Sequence, residues 1–311
     1  MRKLLAILAA VVLVAALVLG ADWWLNRPGP GPAPSPGPSS AAPSEPVNPP
    51  GCAATEVIAI PGTWESRADD DPLNPAANPN SLLLNVTRPL QQAHGPDAAL
   101  VWTAPYPAQF RNVNAQQEMS YDDSQAAGRA VVEGEMRRMH EACPATDFIL
   151  VGFSQGAVIA GDLAADLGHD RGAVPADRVA GVALIADGRR EPGKGVIIGN
   201  PVAGVGLEVA LQPMSALVQP IVPGATMRGG REGGFGSLND RVMDICAPDD
   251  IVCDAPPDAA AVLPRAGTYA GGNAVHAMYA ANPNVIPGTT APAWIVEWAG
   301  GLIAGHSGGP G

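Results

Sequence analysis

Histidine, cysteine and charge are all scarce in this sequence. Five His and four Cys are spread over 311 residues, and only 15% of the chain is charged. No C-x-x-C and no H-E-x-x-H occurs, so no metal motif is present. Among the charged residues the basic ones are the minority: 18 Lys and Arg stand against 30 Asp and Glu, a net charge of −12. That balance argues against nucleic acid as a partner, and against holding an anionic surface by charge alone. No internal repeat is visible. What is abundant is apolar: 47% of the residues are hydrophobic, which suits a large core in one large or two small domains.

Two segments precede the globular part. Residues 1–27 run from Arg2 and Lys3 through an apolar stretch, Leu4 to Ala21, to Trp23, Trp24 and Arg27. A signal peptide and an uncleaved anchor both fit. The anchor is favoured: Leu19 stands where a cleavage site wants a small residue, and the Trp pair resembles an interfacial belt. Either way the basic end stays in the cytoplasm and the rest is exported, anchored to the plasma membrane or secreted if the segment is cleaved. Residues 28–51 hold ten prolines among Gly, Ser and Ala. This reads as a linker of polyproline II character, about 70 Å long at about 3.1 Å per residue.

From Cys52 on, strands alternate with helices. Strands are expected at Thr55–Ile60, Ala98–Thr103, Phe148–Val151, Val179–Ala186 and Arg241–Cys246. Helices are expected at 80–93 with a break near Pro89, at 120–142, after Gly156, and at 258–264, 275–281 and 291–304. In 120–142, Ser120 or Asp122 is a candidate cap, and Ala127, Val131, Met136 and Met139 are the expected core face. The alternation predicts a mostly parallel sheet covered on both faces, with ligands collecting at the carboxyl ends of the strands.

Gly152-Phe153-Ser154-Gln155-Gly156 lies between an apolar strand and an Ala/Val/Ile-rich helix start. This is the setting of a G-x-S-x-G nucleophile elbow. The serine sits on a tight, strained turn, and a side chain on either flanking Gly would collide with neighbouring elements. The helix start then offers the backbone N–H of Gln155 to a developing oxyanion.

A nucleophilic serine needs a base, and the base an orienting acid, in the order Ser, acid, His. His94 and His140 precede Ser154, His169 lies just past the elbow helix, and His306 sits in a Gly-rich tail. That leaves His276. Asp244, Asp249, Asp250, Asp254 and Asp258 all lie in the interval where the acid belongs. Two Cys seven positions apart, Cys246 and Cys253, could close a loop around one of them. Four Cys in an exported chain suggest two disulfides, in one of three connectivities. Cys246–Cys253 with Cys52–Cys143 is the simplest, each adding about 2–4 kcal/mol.

Taken together, Cys143-Pro144 leading into Gly152-Phe153-Ser154-Gln155-Gly156, then Cys246-x-x-x-Asp250-x-Val252-Cys253, then His276, resembles the cutinase family of serine esterases. The anchor, the Pro-rich linker and Ile60-Pro61-Gly62-Thr63-Trp64-Glu65 make it similar to the membrane-anchored cutinase-like lipases of mycolate-containing actinobacteria. The resemblance implies an α/β-hydrolase domain over 52–305, a three-layer sandwich with a mostly parallel central sheet, ahead of a flexible tail, 306–311. It implies Ser154 as nucleophile, His276 as base and Asp250 rather than Asp249 as acid. It also implies Thr63 and Gln155 as the oxyanion hole and disulfides Cys52–Cys143 and Cys246–Cys253. No cofactor is required, and a monomer is expected.

The substrates so implied are lipid acyl esters, with phospholipase A, lipase or thioesterase action in the service of the cell envelope. Two rival readings are acyl transfer from the same acyl-enzyme, and a non-catalytic lipid-binding role. One departure from small cutinases is length: over fifty residues, 187–240, separate two expected strands. They read either as a lid or acyl groove beside the site, or as a surface excursion packed on the core.

Overall fold

The computed structural model of the chain describes residues 46–262 and 274–307. The expected membrane segment, 1–27, the linker up to residue 45 and the tail beyond Ser307 lie outside the described residues. Among the described residues no helix is long and apolar enough to cross a membrane.

Among the described residues six strands form one sheet: β1 (Thr55–Ile60), β2 (Ala99–Thr103), β3 (Asp147–Phe153), β4 (Val179–Ile185), β5 (Val196–Ile197) and β6 (Val242–Ile245). Their order is β2-β1-β3-β4-β6-β5, with every neighbouring pair parallel. The helices are α1 (Leu84–Ala93), α2 (Tyr121–Ala142), α3 (Gln155–Gly168), the short α4 (Leu207–Leu211) and α5 (Ser215–Val218), and α6 (Ala291–Ser307). β5 has only two residues, Val196 and Ile197, both exposed, too short a run to be told from a loop in the sequence.

The sheet is buried on both sides. Ile58 and Ile60 of β1 and Phe148 and Leu150 of β3 join Met136 of α2 and Leu163 of α3 in one core. The intervening residues, Val57, Ala59, Ile149 and Val151, meet Leu90 of α1 and Ile295 and Ile303 of α6 in the other. Period-two alternation in which both sets are apolar is what a sheet covered by helices on both faces requires. Burying each Ile, Leu, Val or Phe of this kind contributes about 1.5–3 kcal/mol. The three-layer sandwich expected from the sequence is the observed architecture.

Several elements depart from expectation. The first helix starts at Leu84 rather than 80, because Ser81 O–H and Leu82 N–H bond the Glu65 carboxylate instead. Pro89 sits inside it without breaking it. In α2, capped by Ser120, the buried face is Ser124, Gln125, Gly128, Val132, Met136 and Met139. Ala127 and Val131 are only half-buried. The face is rotated because Gly128 lets α2 approach Tyr106 and Ile159 so closely that a Cβ there would lie 2.7 and 2.8 Å from them. The segment 275–281 forms one 3₁₀ turn, His276–Met278, rather than an α-helix, while 259–262 are helical. Asn48, in the stretch expected to be linker, donates to Thr146 Oγ1 and accepts from Ala145 N–H.

One buried acid is at odds with its surroundings. Glu56 of β1 is wholly buried on the α2 side. Burial, then the neighbouring Glu135 carboxylate, push its carboxyl from an ordinary value of 4.5 up to about 9, against the pull of Arg138. A carboxyl raised in the fold favours the protonated form. Its contribution is therefore present below the ordinary value and lost as pH rises toward 9. Glu56→Gln removes that loss. Its Tm is expected to exceed wild type by about 5 °C at pH 9, equivalent to roughly 2 kcal/mol in a domain of this size. The two proteins are expected to unfold together at pH 4.5. Thermal unfolding followed by circular dichroism at both pH values checks this.

Candidate active site

The carboxyl edge of the sheet carries the site. β3 ends at Phe153, α3 begins at Gln155, and Ser154 lies between them. Ser154 has φ +54° and ψ −117°, a conformation that L-residues rarely adopt and that costs about 1–3 kcal/mol. Its N–H donates to the Ile185 carbonyl at 2.9 Å, and its own carbonyl accepts from Ala157 and Val158. The turn is thus held on both flanks. A Cβ on Gly152 would strike the Gly156 carbonyl, and one on Gly156 would strike the Ile60 carbonyl. Both glycines of the motif are therefore required by the packing of β3, α3 and β1.

His276 projects from its 3₁₀ turn toward this elbow. Its Nε2 lies 2.9 Å from Ser154 Oγ and its Nδ1 lies 2.8 Å from Asp250 Oδ2. Asp250 also accepts from Val252 N–H at 3.0 Å and from Tyr279 O–H at 2.9 Å. Burial pushes its carboxyl up, but the bond to His276, the imidazole charge, Val252 and Tyr279 outweigh burial and hold it below the ordinary range. Because Asp250 is kept as a carboxylate, Nδ1–H is the donor to it, and Nε2 is left to accept the Ser154 hydroxyl. The Phe153 ring stacks on the imidazole, with centroids 5.0 Å apart.

Three of the other four aspartates of the interval are engaged elsewhere, and the fourth faces solvent. Asp249, one residue from Asp250, is exposed. Asp244 pairs with Arg190 at 2.6 Å. Asp254 accepts from Gly204 N–H, and Asp258 from Ala260 N–H. His169 bonds the Ala165 carbonyl. Both disulfides have the simplest connectivity, Cys52–Cys143 and Cys246–Cys253. The second closes the loop that carries Asp250.

The two residues expected at the oxyanion hole are both at this edge. The Gln155 amide is taken up by Ser124, which donates to it at 3.0 Å, and by the Gln109 carbonyl, to which it donates at 3.2 Å. What Gln155 offers the site is its backbone N–H, in the first turn of α3 where a helix has no carbonyl four residues back. Thr63, on the turn after β1, lines the same cleft as Ser154 and His276. That cleft has a volume of about 650 Å³, and Trp64, Leu82, Phe110, Phe153 and Val252 give it apolar walls. Among the described residues, no group of His, Cys, Asp or Glu is arranged to hold a metal ion.

The family model described as cutinase matches residues 80–297. The chain belongs to the cutinase family. A relative, the carboxylesterase Culp6 homolog of Corynebacterium glutamicum, is 55% identical over 312 residues, covering 97% of this chain and 99% of its own. Two solved structures share the fold. A cutinase-like protein from Cryptococcus sp. is 21% identical with a TM-score of 0.52, covering 83% of this chain and 98% of its own. An acetyl xylan esterase is 18% identical with a TM-score of 0.51, covering 81% and 99%. The expectation of a carboxylic ester hydrolase stands.

In this cutinase-family enzyme the long segment 187–240 lies over α3 and the start of α2. Asp162 of α3 accepts from Arg189, Arg228 and Arg231, each at 2.8 Å. Arg231 also pairs with Asp187, and Arg228 with Glu208. Thr226 bonds Asp122. None of residues 187–240 lines the cleft. Of the two readings, the surface excursion describes this arrangement.

Tyr279 is the site residue that sequence reasoning missed. It is fully buried, donates to Asp250 and accepts from Ala247 N–H at 2.8 Å. Burial, then the Asp250 charge, push its phenol well above the ordinary range, so it stays a donor. The available signal was its spacing: residues three apart on a 3₁₀ turn share a side, and Tyr279 is three past His276. Tyr279→Phe leaves Ala247 N–H buried without that acceptor and Asp250 short of one donor. It is expected to cost about 1–3 kcal/mol in stability, read from urea unfolding. A variant as stable as wild type would show that another group takes over both bonds.

Proposed function

We propose that this enzyme hydrolyses lipid acyl esters outside the cytoplasm, with Ser154 as nucleophile, His276 as general base and Asp250 as the acid that orients it. The observation that carries the reading is the continuous hydrogen-bonded row Ser154–His276–Asp250, with links of 2.9 and 2.8 Å, facing a large apolar cleft.

The chemistry follows from the geometry. As Ser154 Oγ bonds the acyl carbon, its proton passes to His276 Nε2. Asp250 stabilises the imidazolium and holds the ring in place. The carbonyl oxygen becomes an oxyanion, for which the Gln155 N–H and Thr63 are the proposed donors. The ester C–O bond then breaks, and Nε2–H protonates the departing alkoxide. Water, deprotonated by the same nitrogen, attacks the acyl-enzyme and releases the acid, restoring Ser154. The groups of the row need no cofactor for these steps.

The lipid assignment is supported by the apolar cleft walls and by the family. The location is supported by the apolar start of the chain, by the Pro-rich stretch after it and by the disulfides, which form in oxidising compartments. The corresponding division is an anchor or signal segment at 1–27, a linker at 28–51, the hydrolase domain at 52–305 and a tail at 306–311. Envelope lipid metabolism is the matching role.

Ester hydrolysis by the oxidised protein, across short to long acyl chains and a phospholipid, tests this. Ser154→Ala is expected to lower kcat/KM by about 10⁴-fold or more, and Asp250→Asn by about 10³–10⁴-fold. Asp249→Asn is expected to stay within about 3-fold, as for a surface change. Activity retained in Ser154→Ala would remove the proposed nucleophile. A rate maximum on short chains would remove the lipid assignment. Turnover seen only after adding a sugar or polyol acceptor would replace hydrolysis by acyl transfer.

A further inference from the structure

A carboxylate outside the Ser154–His276–Asp250 row faces the cleft. Glu65 lines it together with Thr63, Ser154 and His276. Its two oxygens are surrounded by donors. Oε2 accepts from Gly62 N–H at 3.2 Å and from Ser81 O–H at 3.1 Å, and Oε1 accepts from Leu82 N–H at 2.9 Å. Three donors on one carboxyl group suit its ionised form. The same side chain therefore closes its own turn, Gly62 to Glu65, and ties that turn to the residues that precede α1.

The turn needs holding. Trp64 has φ +64°, a strained value for a bulky residue. Its N–H donates to the Ala108 carbonyl at 2.6 Å, and its indole Nε1–H donates to the Glu118 carboxylate. Glu65 N–H returns to the Gly62 carbonyl at 3.0 Å. Gly62 lies so close to the Phe153 ring that a Cβ would come within 2.8 Å of it. Thr63 sits inside this clamp, between Gly62 and Trp64.

Glu65 also lies within electrostatic reach of His276. Burial pushes its carboxyl up, and the pull of the Leu82 and Gly62 N–H groups, Ser81 and His276 offsets this only in part, so it stays above the ordinary carboxylate value. The titratable groups around it are His276 in the cleft, the buried Tyr106, and Asp70, which lines a small pocket beside it. Asp250 is bonded to the imidazole at Nδ1.

We propose that Glu65 is a positioning residue of the ester-hydrolysis site, fixing Thr63 opposite Ser154 and, as an anion, favouring the imidazolium that His276 becomes during acylation. This rests on the roles given above to Ser154, His276 and Thr63. The two functions of the carboxylate are separable. The clamp acts through Gly62, Ser81 and Leu82. The charge acts through space on His276.

The test compares full-length wild type, Glu65→Gln, Ser81→Ala and Ser154→Ala on a soluble nitrophenyl ester, with kcat and KM measured from pH 4 to 10. Labelling with a phosphonate serine probe is run alongside. Glu65→Gln keeps the size of the side chain but loses the charge and one acceptor. It is expected to lower kcat by about 10–100-fold, less than deletion of an oxyanion donor outright, with KM changed by less than about 3-fold. The acid limb of kcat/KM is expected to move to lower pH. Ser81→Ala loosens the clamp but keeps the charge, so it lowers kcat by about 3–10-fold with the limb in place. A folded Glu65→Gln with wild-type kcat, or with lowered kcat and an unmoved limb, overturns the proposal. If Glu65→Gln does not fold, Ser81→Ala decides alone: wild-type kcat overturns the proposal and a lowered kcat at constant KM supports it. Failure of the underlying reading looks different, because Ser154→Ala would then keep activity or still take up the probe.

Discussion

The backbone at Ser154 is the constraint on which the rest depends. A serine held at positive φ between a strand and a helix is unfavourable on its own. It persists because β3, α3 and β1 leave the turn no alternative. Gly156 packs against the end of β1 and Gly152 against the first turn of α3. The N–H of Ser154 is paired to the end of β4. Three adjacent parallel strands thus converge on one residue, and the cores on both faces of the sheet supply the energy that offsets the strain.

The row from serine to histidine to aspartate is then held from behind. Tyr279, Val252 and the Cys246–Cys253 loop leave Asp250 no freedom to turn away. Phe153, beside the serine in sequence, stacks on the histidine. One short strand end therefore places the nucleophile and supports the face of its base. Such cross-bracing matters because a misplacement of about 1 Å in such a row can cost on the order of 10²-fold in rate.

Much of this was legible in the sequence, for physical reasons that differ by element. The strands β1, β3 and β4 were visible because a sheet covered on both faces needs unbroken apolar runs, with few other segments resembling them. Ser154 was visible because its strain demands Gly at two fixed offsets. His276 was reached by elimination, which worked only because histidine is so scarce. Asp250 could not be separated from Asp249 by chemistry alone; what separates them is that one is buried and the other exposed, a tertiary fact carried in the sequence only by its family pattern. Tyr279 left one local signal, its place three past His276, but its bonds to Asp250 and Ala247, like those of Glu65 to Ser81 and Leu82, join separate segments and could not be read from either alone. The rotated face of α2 escaped for a similar reason: Gly128 is apolar-neutral by pattern, and only the ring of Tyr106 gives it a side.

Asn48 and Cys52 fasten the chain to Ala145, Thr146 and Cys143, where β1 and β3 begin. Ser154 and its partners lie where those same strands end, about 20 Å away at about 3.3 Å per residue. The domain therefore has a mechanical pole and a chemical pole at opposite ends of its sheet. Tension applied through whatever precedes residue 46 would be shared at once between β1 and the α2–β3 junction through a covalent cross-link. It would reach the strained serine turn only after passing along the most deeply buried strands of the molecule.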